Sequence, residues 1–170
     1  MEKKQDINRI IRVNQAGEYG ASRIYQGQLA VLKDNQSIKK MAAQEVSHLK
    51  NFNRLLIEHK IRPTLLQPVW HIGGYALGVV TALLGEKAAH ACTISVETVI
   101  DEHYQSQLCE LEDCTEYDEL KNVIRQCHEE ELEHKAVAVD EGGREAFGFP
   151  VLNFTIQAIS KAAIWLSSRI

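Results

Sequence analysis

Two stretches of this chain repeat one chemical pattern: Glu45-Val46-Ser47-His48 and Glu131-Leu132-Glu133-His134 each set a carboxylate three residues before an imidazole. On a helix such positions share a face about one turn apart, so each pair can grip one ion. Ahead of each pair, one more glutamate falls on an otherwise apolar stripe, Glu18 before the first and Glu97 before the second. Carboxylates gathered in an apolar seam repel one another and lose hydration, which drives them towards protonation unless positive charge sits among them. The basic residues lie on other faces of these segments, so two divalent cations are the natural balance for four glutamates. A mixed oxygen and imidazole donor set suits Fe or Mn, whereas structural zinc favours thiolates and tetrahedral closure. A single Glu-x-x-His on a helix is ordinarily a solvated pair, so the duplication carries the metal reading.

Hydrophobic periodicity places helices over 5–33, 37–60, 70–84, 86–112, 116–140 and 151–168. Their inward stripes contain Glu18 among Ile11, Asn14, Ala21 and Tyr25; Glu45 and His48 between Met41 and Phe52; Glu97 between Thr93 and Ile100; and Glu131 and His134 between Cys127 and Ala138. The pattern describes two helical hairpins, each with a lone glutamate on its first helix and a Glu-x-x-His on its second. The spacings Glu18 to Glu45 and Glu97 to Glu131 differ by seven residues, about two helical turns, so both hairpins can present ligands at one level. The expected architecture is all-α: a ferritin-like four-helix bundle, which uses this ligand pattern, plus a short apolar linker helix and a C-terminal helix. Residues 1–170 are expected to form a single domain.

Several neighbours of the stripes could assist. Asp101, four residues after Glu97, could accept a hydrogen bond from a ligand histidine, and Tyr25 and Tyr104 fall seven residues after Glu18 and Glu97, on the metal-facing side. His59, His71, His90 and His128 read as surface or core residues, and Glu129, Glu130 and Glu133 as solvated. Cys92, Cys109, Cys114 and Cys127 form no CxxC pair and read as reduced thiols.

Charge is unevenly distributed. Residues 1–62 hold twelve Lys and Arg against six Asp and Glu, whereas residues 101–145 hold fifteen Asp and Glu against four Lys and Arg. So acidic a half argues against nucleic acid as a partner. The segment from Val69 to Leu84 is nearly continuously apolar, yet shorter than the roughly 20 residues that span a bilayer comfortably. With Trp70 and Tyr75 suited to interfacial depth, and Lys50, Arg54, His59, Lys60 and Arg62 upstream for anionic headgroups, it reads as a peripheral contact with a membrane lipid surface. Gly73, Gly74 and Gly78 leave room for either a packed helix or a long apolar tail. The N-terminal residues MEKKQDINRI carry no export or import signal, which points to the cytoplasmic side of a bacterial inner membrane.

Taken in order, Arg12-Val13-Asn14-Gln15-Ala16-Gly17-Glu18-Tyr19-Gly20-Ala21, Glu45-Val46-Ser47-His48, Val96-Glu97 with His103-Tyr104, and Glu130-Glu131-Leu132-Glu133-His134 resemble the demethoxyubiquinone hydroxylases over nearly the whole chain. The resemblance implies that Glu18, Glu45, His48, Glu97, Glu131 and His134 ligate two Fe ions, with His103 and Tyr104 in a hydrogen-bond network beside them. It implies a monooxygenase that uses O2 to hydroxylate the quinone ring of a demethoxyubiquinone, with NADH as the source of reducing equivalents. No GxGxxG or Walker fingerprint accompanies that donor. A lipid-binding helper protein is a further conceivable partner. The rival activities are a ferritin-like ferroxidase and a rubrerythrin-like peroxidase, neither of which explains the apolar linker helix.

Overall fold

The structure is a computed structural model that describes the backbone of residues 2–170 and side chains from Ile7 onward. Helix α1 runs Glu2–Val31, α2 Gln36–Glu58, α3 Gln67–Leu83, α4 Glu86–Glu110, α5 Asp118–Asp140 and α6 Phe149–Ser167. No strand occurs among the described residues, so the all-α expectation holds. Asn35 starts α2 by accepting a hydrogen bond from the Ile38 amide at 2.8 Å. Gly85 (φ 112°) turns the chain between α3 and α4, and Gly142 (φ 78°) ends α5, both in conformations that tolerate a side chain poorly.

The differences from the expected boundaries are local. Helices α3 and α6 begin three and two residues earlier than the periodicity suggests, because Pro68 and Pro150 sit in the first turn, where a missing N–H costs nothing. One-turn 3₁₀ segments, Thr115–Tyr117 and Gly143–Glu145, precede α5 and follow it.

Two apolar plugs close the bundle formed by α1, α2, α4 and α5. At one end Ile7, Ile10 and Ile11 of α1 meet Phe52 and Leu55 of α2, Tyr104 of α4 and Leu120 and Ile124 of α5. At the other, Tyr25 packs with Ile38, Met41, Ala82 and Ala89. The start of α1 thus meets the ends of α2 and α4 and the start of α5, so α2 and α4 run in the same direction. Joining two parallel helices needs a crossover, and the segment containing α3 supplies it.

Helix α3 lies against α1 almost backbone to backbone. A Cβ on Gly78 would stand 2.0 Å from the Ile24 carbonyl oxygen, one on Gly27 2.2 Å from that of Tyr75, and one on Gly74 2.8 Å from that of Gly20. Gly73 meets nothing within 4 Å and faces a cavity. Of the two uses open to these glycines, Gly74 and Gly78 serve close packing and Gly73 leaves space. The rest of α3 and α6 is apolar and outward: Ile72, Val80, Leu83, Val151, Phe154 and Trp165 are all more than half exposed.

Candidate metal centre and adjoining groove

Between the two plugs, the structure brings Glu18, Glu45, His48, Glu97, Glu131 and His134 together, each no more than 4% exposed. Their donor atoms form two quartets. Glu18, Glu45, His48 and Glu131 make one and Glu45, Glu97, Glu131 and His134 the other, all ligand atoms within a quartet lying within 4.8 Å of one another. Glu45 and Glu131 belong to both. The shared positions fall to the glutamates of the two Glu-x-x-His pairs, because α2 and α5 face each other across the centre, and the lone Glu18 and Glu97 belong to one quartet each.

The imidazoles point one nitrogen inward and one outward. His48 Nδ1 lies 3.1 Å from Glu131 Oε1 and 3.4 Å from Glu18 Oε2. His134 Nδ1 lies 2.8 Å from Glu131 Oε2 and 3.5 Å from Glu45 Oε1, without hydrogen-bond geometry. Outward, His48 Nε2 donates to Glu130 Oε2 at 3.0 Å and His134 Nε2 to Gln44 Oε1 at 3.2 Å. The amide nitrogen of Gln44 in turn donates to Glu130 Oε2 at 3.3 Å, joining the two supports.

A two-fold exchange organises these contacts. Gln44, just before Glu45 on α2, holds the histidine of α5, and Glu130, just before Glu131 on α5, holds the histidine of α2. The tyrosines follow the same rule. Tyr25 of α1 donates to Glu97 Oε1 of α4 at 3.3 Å, and Tyr104 of α4 donates to Glu18 Oε1 of α1. Each hairpin thus holds the other's donors in place.

Titration preferences record the crowding of charge. Burial, with Glu131 and Glu18 alongside, pushes the Glu45 carboxyl well above the usual carboxylate range, and burial with Glu131 and Glu45 does the same to Glu97. Glu131, against the cost of its burial, is pulled down to about 2 by its contacts with His134 and His48. His48 is raised above the ordinary imidazole range, burial opposing and Glu131 and Glu18 prevailing. Burial first, then Glu97 for Tyr25 and Glu18 for Tyr104, pushes both phenols up, so they remain donors. Protons thus carry the charge balance among the side chains alone. Both oxygens of Glu45, one each of Glu18 and Glu131, and His134 Nδ1 are buried without a hydrogen-bond partner. Buried polar atoms left in this state cost on the order of 1–3 kcal/mol each. Divalent cations fit this donor set, since they would satisfy those atoms and replace those protons.

The remaining expectations divide. Asp101 reaches neither of these histidines: its Oδ1 accepts from His128 Nε2 at 2.8 Å and its Oδ2 faces Lys135 at 3.5 Å. One turn beyond Glu97 the α4 surface has rotated towards the flank of α5. His103 pairs with Gln107 at 2.7 Å, and Gln107 exchanges two hydrogen bonds with Asn14. The His103 ring centroid stands 6.3 Å from that of Tyr104, which holds Glu18. Among the described residues His103 thus makes no hydrogen bond to either quartet but belongs to a network beside that tyrosine. Glu130, expected in solvent, is instead a partner of His48, and Gln44, outside the inward stripe, is a partner of His134. The available signal was that each immediately precedes the glutamate of a Glu-x-x-His pair. All four cysteines are free, and the fully buried Cys127 lies beside Glu18 and His48.

A cavity of about 320 Å³ opens next to the quartets, lined by α1, α3, α4 and α6 and almost wholly apolar. Ala16, Gly17, Gly20 and Ala21 keep the α1 wall low, Gly73 and Gly74 do so on α3, and Trp70, Leu77, Ile159 and Ile164 give it bulk. A small void shares Ala21, Ile24 and Val96 with this groove and is bounded by Tyr25, Thr93 and Glu97. Those three shared residues therefore stand between the groove and a candidate metal ligand, with a void of about 10 Å³ behind them.

Fold and site together define a helical-bundle protein with a buried centre of four carboxylates and two imidazoles, reached from an apolar groove. Residues 5–167 match the family described as Ubiquinone biosynthesis protein COQ7, and the chain belongs to that family. It is 50% identical over 170 residues to the 3-demethoxyubiquinol 3-hydroxylase of Rhodospirillum rubrum, covering 96% of this chain and 78% of the relative. It is 47% identical over 169 residues to the mitochondrial NADPH-dependent 3-demethoxyubiquinone 3-hydroxylase of Homo sapiens, with the same two coverages. The mitochondrial 5-demethoxyubiquinone hydroxylase of Saccharomyces cerevisiae is 37% identical over 182 residues, covering 96% of this chain and 78% of the relative.

Proposed function

We propose that this protein is a di-iron monooxygenase that hydroxylates the ring of a demethoxyubiquinone, residues 1–170 acting as one unit. The observation that carries the reading is the apolar groove beside the centre, whose wall residues Ala21, Ile24 and Val96 also bound the small void next to Glu97. A quinone precursor combines a compact ring with a long apolar tail, and this site offers an apolar groove of about 320 Å³ against the helices that carry the centre.

Glu18, Glu45, His48 and Glu131 would hold one iron and Glu45, Glu97, Glu131 and His134 the other. When bound, the pair supplies the O2 activation that an aromatic hydroxylation needs. The chain's own residues do the rest. The groove takes the ring and the first part of the tail and keeps water out, and Ala21, Ile24 and Val96, which line both the groove and the small void beside Glu97, would have to move apart for the ring to approach the centre. Tyr25 and Tyr104 hold the lone glutamates by donated hydrogen bonds, and Gln44 and Glu130 hold the imidazoles.

The relatives named NADPH-dependent support a nicotinamide reductant, and we extend this to NADH as an acceptable donor. No helix among the described residues is long and apolar enough to cross a membrane. The exposed apolar residues of α3 and α6 flank the groove, and in our reading they rest on the lipid surface of the bacterial inner membrane, cytoplasmic side, so that the tail passes between lipid and groove. Arg54 drops out of the headgroup set, because Glu58 and Glu119 engage it. A lipid-binding helper protein could dock on the same apolar face to present substrate.

The test is to reduce the iron-loaded protein in vesicles containing a demethoxyubiquinone, admit ¹⁸O₂ and weigh the product. A quinone heavier by one ¹⁸O atom is expected. An unchanged quinone with oxidised protein overturns the assignment.

A further inference from the structure

At the opposite end of α4 from His103, a second group of donors converges that the central chemistry does not use. His90 of α4 is completely buried, and neither of its ring nitrogens has a hydrogen-bond partner. Glu86, one turn earlier on the same face of α4, and Glu141, the residue that caps α5, each bring a carboxylate oxygen to it, all three donor atoms lying within 4.8 Å of one another. The arrangement repeats the central one a heptad away, since His90 lies seven residues before Glu97 on α4 and Glu141 seven after His134 on α5, with histidine and glutamate exchanged between the helices.

Elementary chemistry narrows what this group can take. A buried imidazole with both nitrogens unpartnered is costly, and an ion at one of them would remove that cost on one side. Burial lowers the His90 pKa, so the ring offers a lone pair at neutral pH. The two carboxylates carry charge with no basic partner shown among the described residues. Asn35 donates its amide to Glu86, and the neighbouring Lys87 is paired with Glu145. Ligands opposite one another on an ion with bonds of about 2.1 Å stand about 4.2 Å apart, so a small swing of the exposed carboxylates would close the set. The chain packs closely behind His90: a Cβ on Gly143 would lie 2.8 Å from the His90 carbonyl carbon.

We propose that Glu86, His90 and Glu141 form a separate binding site for one divalent transition-metal ion, of the zinc, iron or manganese class, at this end of the bundle. Three protein donors of mixed oxygen and nitrogen type, two of them exposed, describe a site that exchanges its ion with solvent and keeps positions for water.

The experiment compares the metal-stripped full chain with the E86Q/E141Q double variant, titrating each with Zn²⁺ by calorimetry. Both substituted side chains are exposed, so circular dichroism should show unchanged helix content. The wild type is expected to take up one more equivalent of Zn²⁺ than the variant, and H90A, if folded, should match the variant. Crystals of the wild type soaked in Zn²⁺ should give an anomalous peak bonded to a His90 nitrogen and to oxygens of Glu86 and Glu141. Equal stoichiometry and affinity in wild type and double variant, or no peak at His90, overturns the proposal. The difference between the two proteins does not depend on how many ions the central quartets bind, so the two assignments can fail separately.

Discussion

The four helices that build the centre and the two, α3 and α6, that form the outer wall of the groove break the ordinary rule of burial in opposite directions. Helices α1, α2, α4 and α5 turn glutamates inward, among them Glu45 at 0% exposure, whereas α3 and α6 turn Ile72 and Phe154 outward at 70% and 76%. Neither arrangement favours a chain left alone in water: the first strands charge in a poorly solvating interior, the second leaves apolar surface wet. The proposed function accounts for both, with a pair of cations inside and a lipid surface outside. The groove lies between the two regions, walled by α3 and α6 on one side and by α1 and α4 on the other, so a molecule half apolar and half reactive can belong to both.

Substitutions can separate the two regions. The largest effect should come from Glu131→Ala, which removes a donor common to both quartets. Hydroxylation should be abolished and iron content fall, with helix content by circular dichroism preserved. If activity survives, the centre has been misassigned. In metal-free protein Glu45→Leu should instead raise stability, by about 1–3 kcal/mol, because it replaces a buried acid whose two oxygens lack hydrogen-bond partners by an apolar group of similar volume. Denaturant midpoints of the stripped proteins give the comparison, and a lower midpoint for the variant would mean that the carboxyl stabilises the fold by itself. Next, Glu130→Ala and Gln44→Ala should each weaken iron binding by roughly 10–100-fold by releasing the outer nitrogen of His48 or His134, measured by competition with a chelator.

On the groove side, Gly73→Leu should fill space and raise KM for a long-tailed substrate by roughly tenfold, the worth of one or two buried methylenes, with iron content unchanged. Gly78→Ala, by contrast, should cost stability by roughly 1–3 kcal/mol, since its Cβ would collide with the Ile24 carbonyl. The smallest effect should be that of Phe154→Ser, a several-fold loss of vesicle binding in a sedimentation assay with little change in turnover of a short-tailed quinone. Unaltered vesicle binding would argue that α6 faces something other than lipid.

How much of this was legible beforehand depended on angle. Glu18, Glu45, His48, Glu97, Glu131 and His134 lie on stripes that the helical period alone defines, and the structure draws those six together. Gln44 and Glu130 stand one residue off the stripe, rotated by about 100° around their helices, where an isolated wheel assigns them to solvent. Only the approach of α2 to α5 turns that flank into the wall behind the partner's histidine. Asp101 fails for the complementary reason: it lies near the Glu97 stripe, yet its side of α4 meets His128 and Lys135. The apolar character of α3 was equally plain, but which face would meet α1 rests on a close backbone contact at Gly27, Gly74 and Gly78, and no periodicity distinguishes those glycines from Gly73. The shared role of Glu45 and Glu131 needed the crossover topology, which sets α2 opposite α5.

The most direct measurement is anomalous diffraction at the iron edge from crystals grown with ferrous iron under anaerobic conditions. Two central peaks are predicted, one among Glu18, Glu45, His48 and Glu131 and the other among Glu45, Glu97, Glu131 and His134. A single peak, or none, in that chamber would contradict the account.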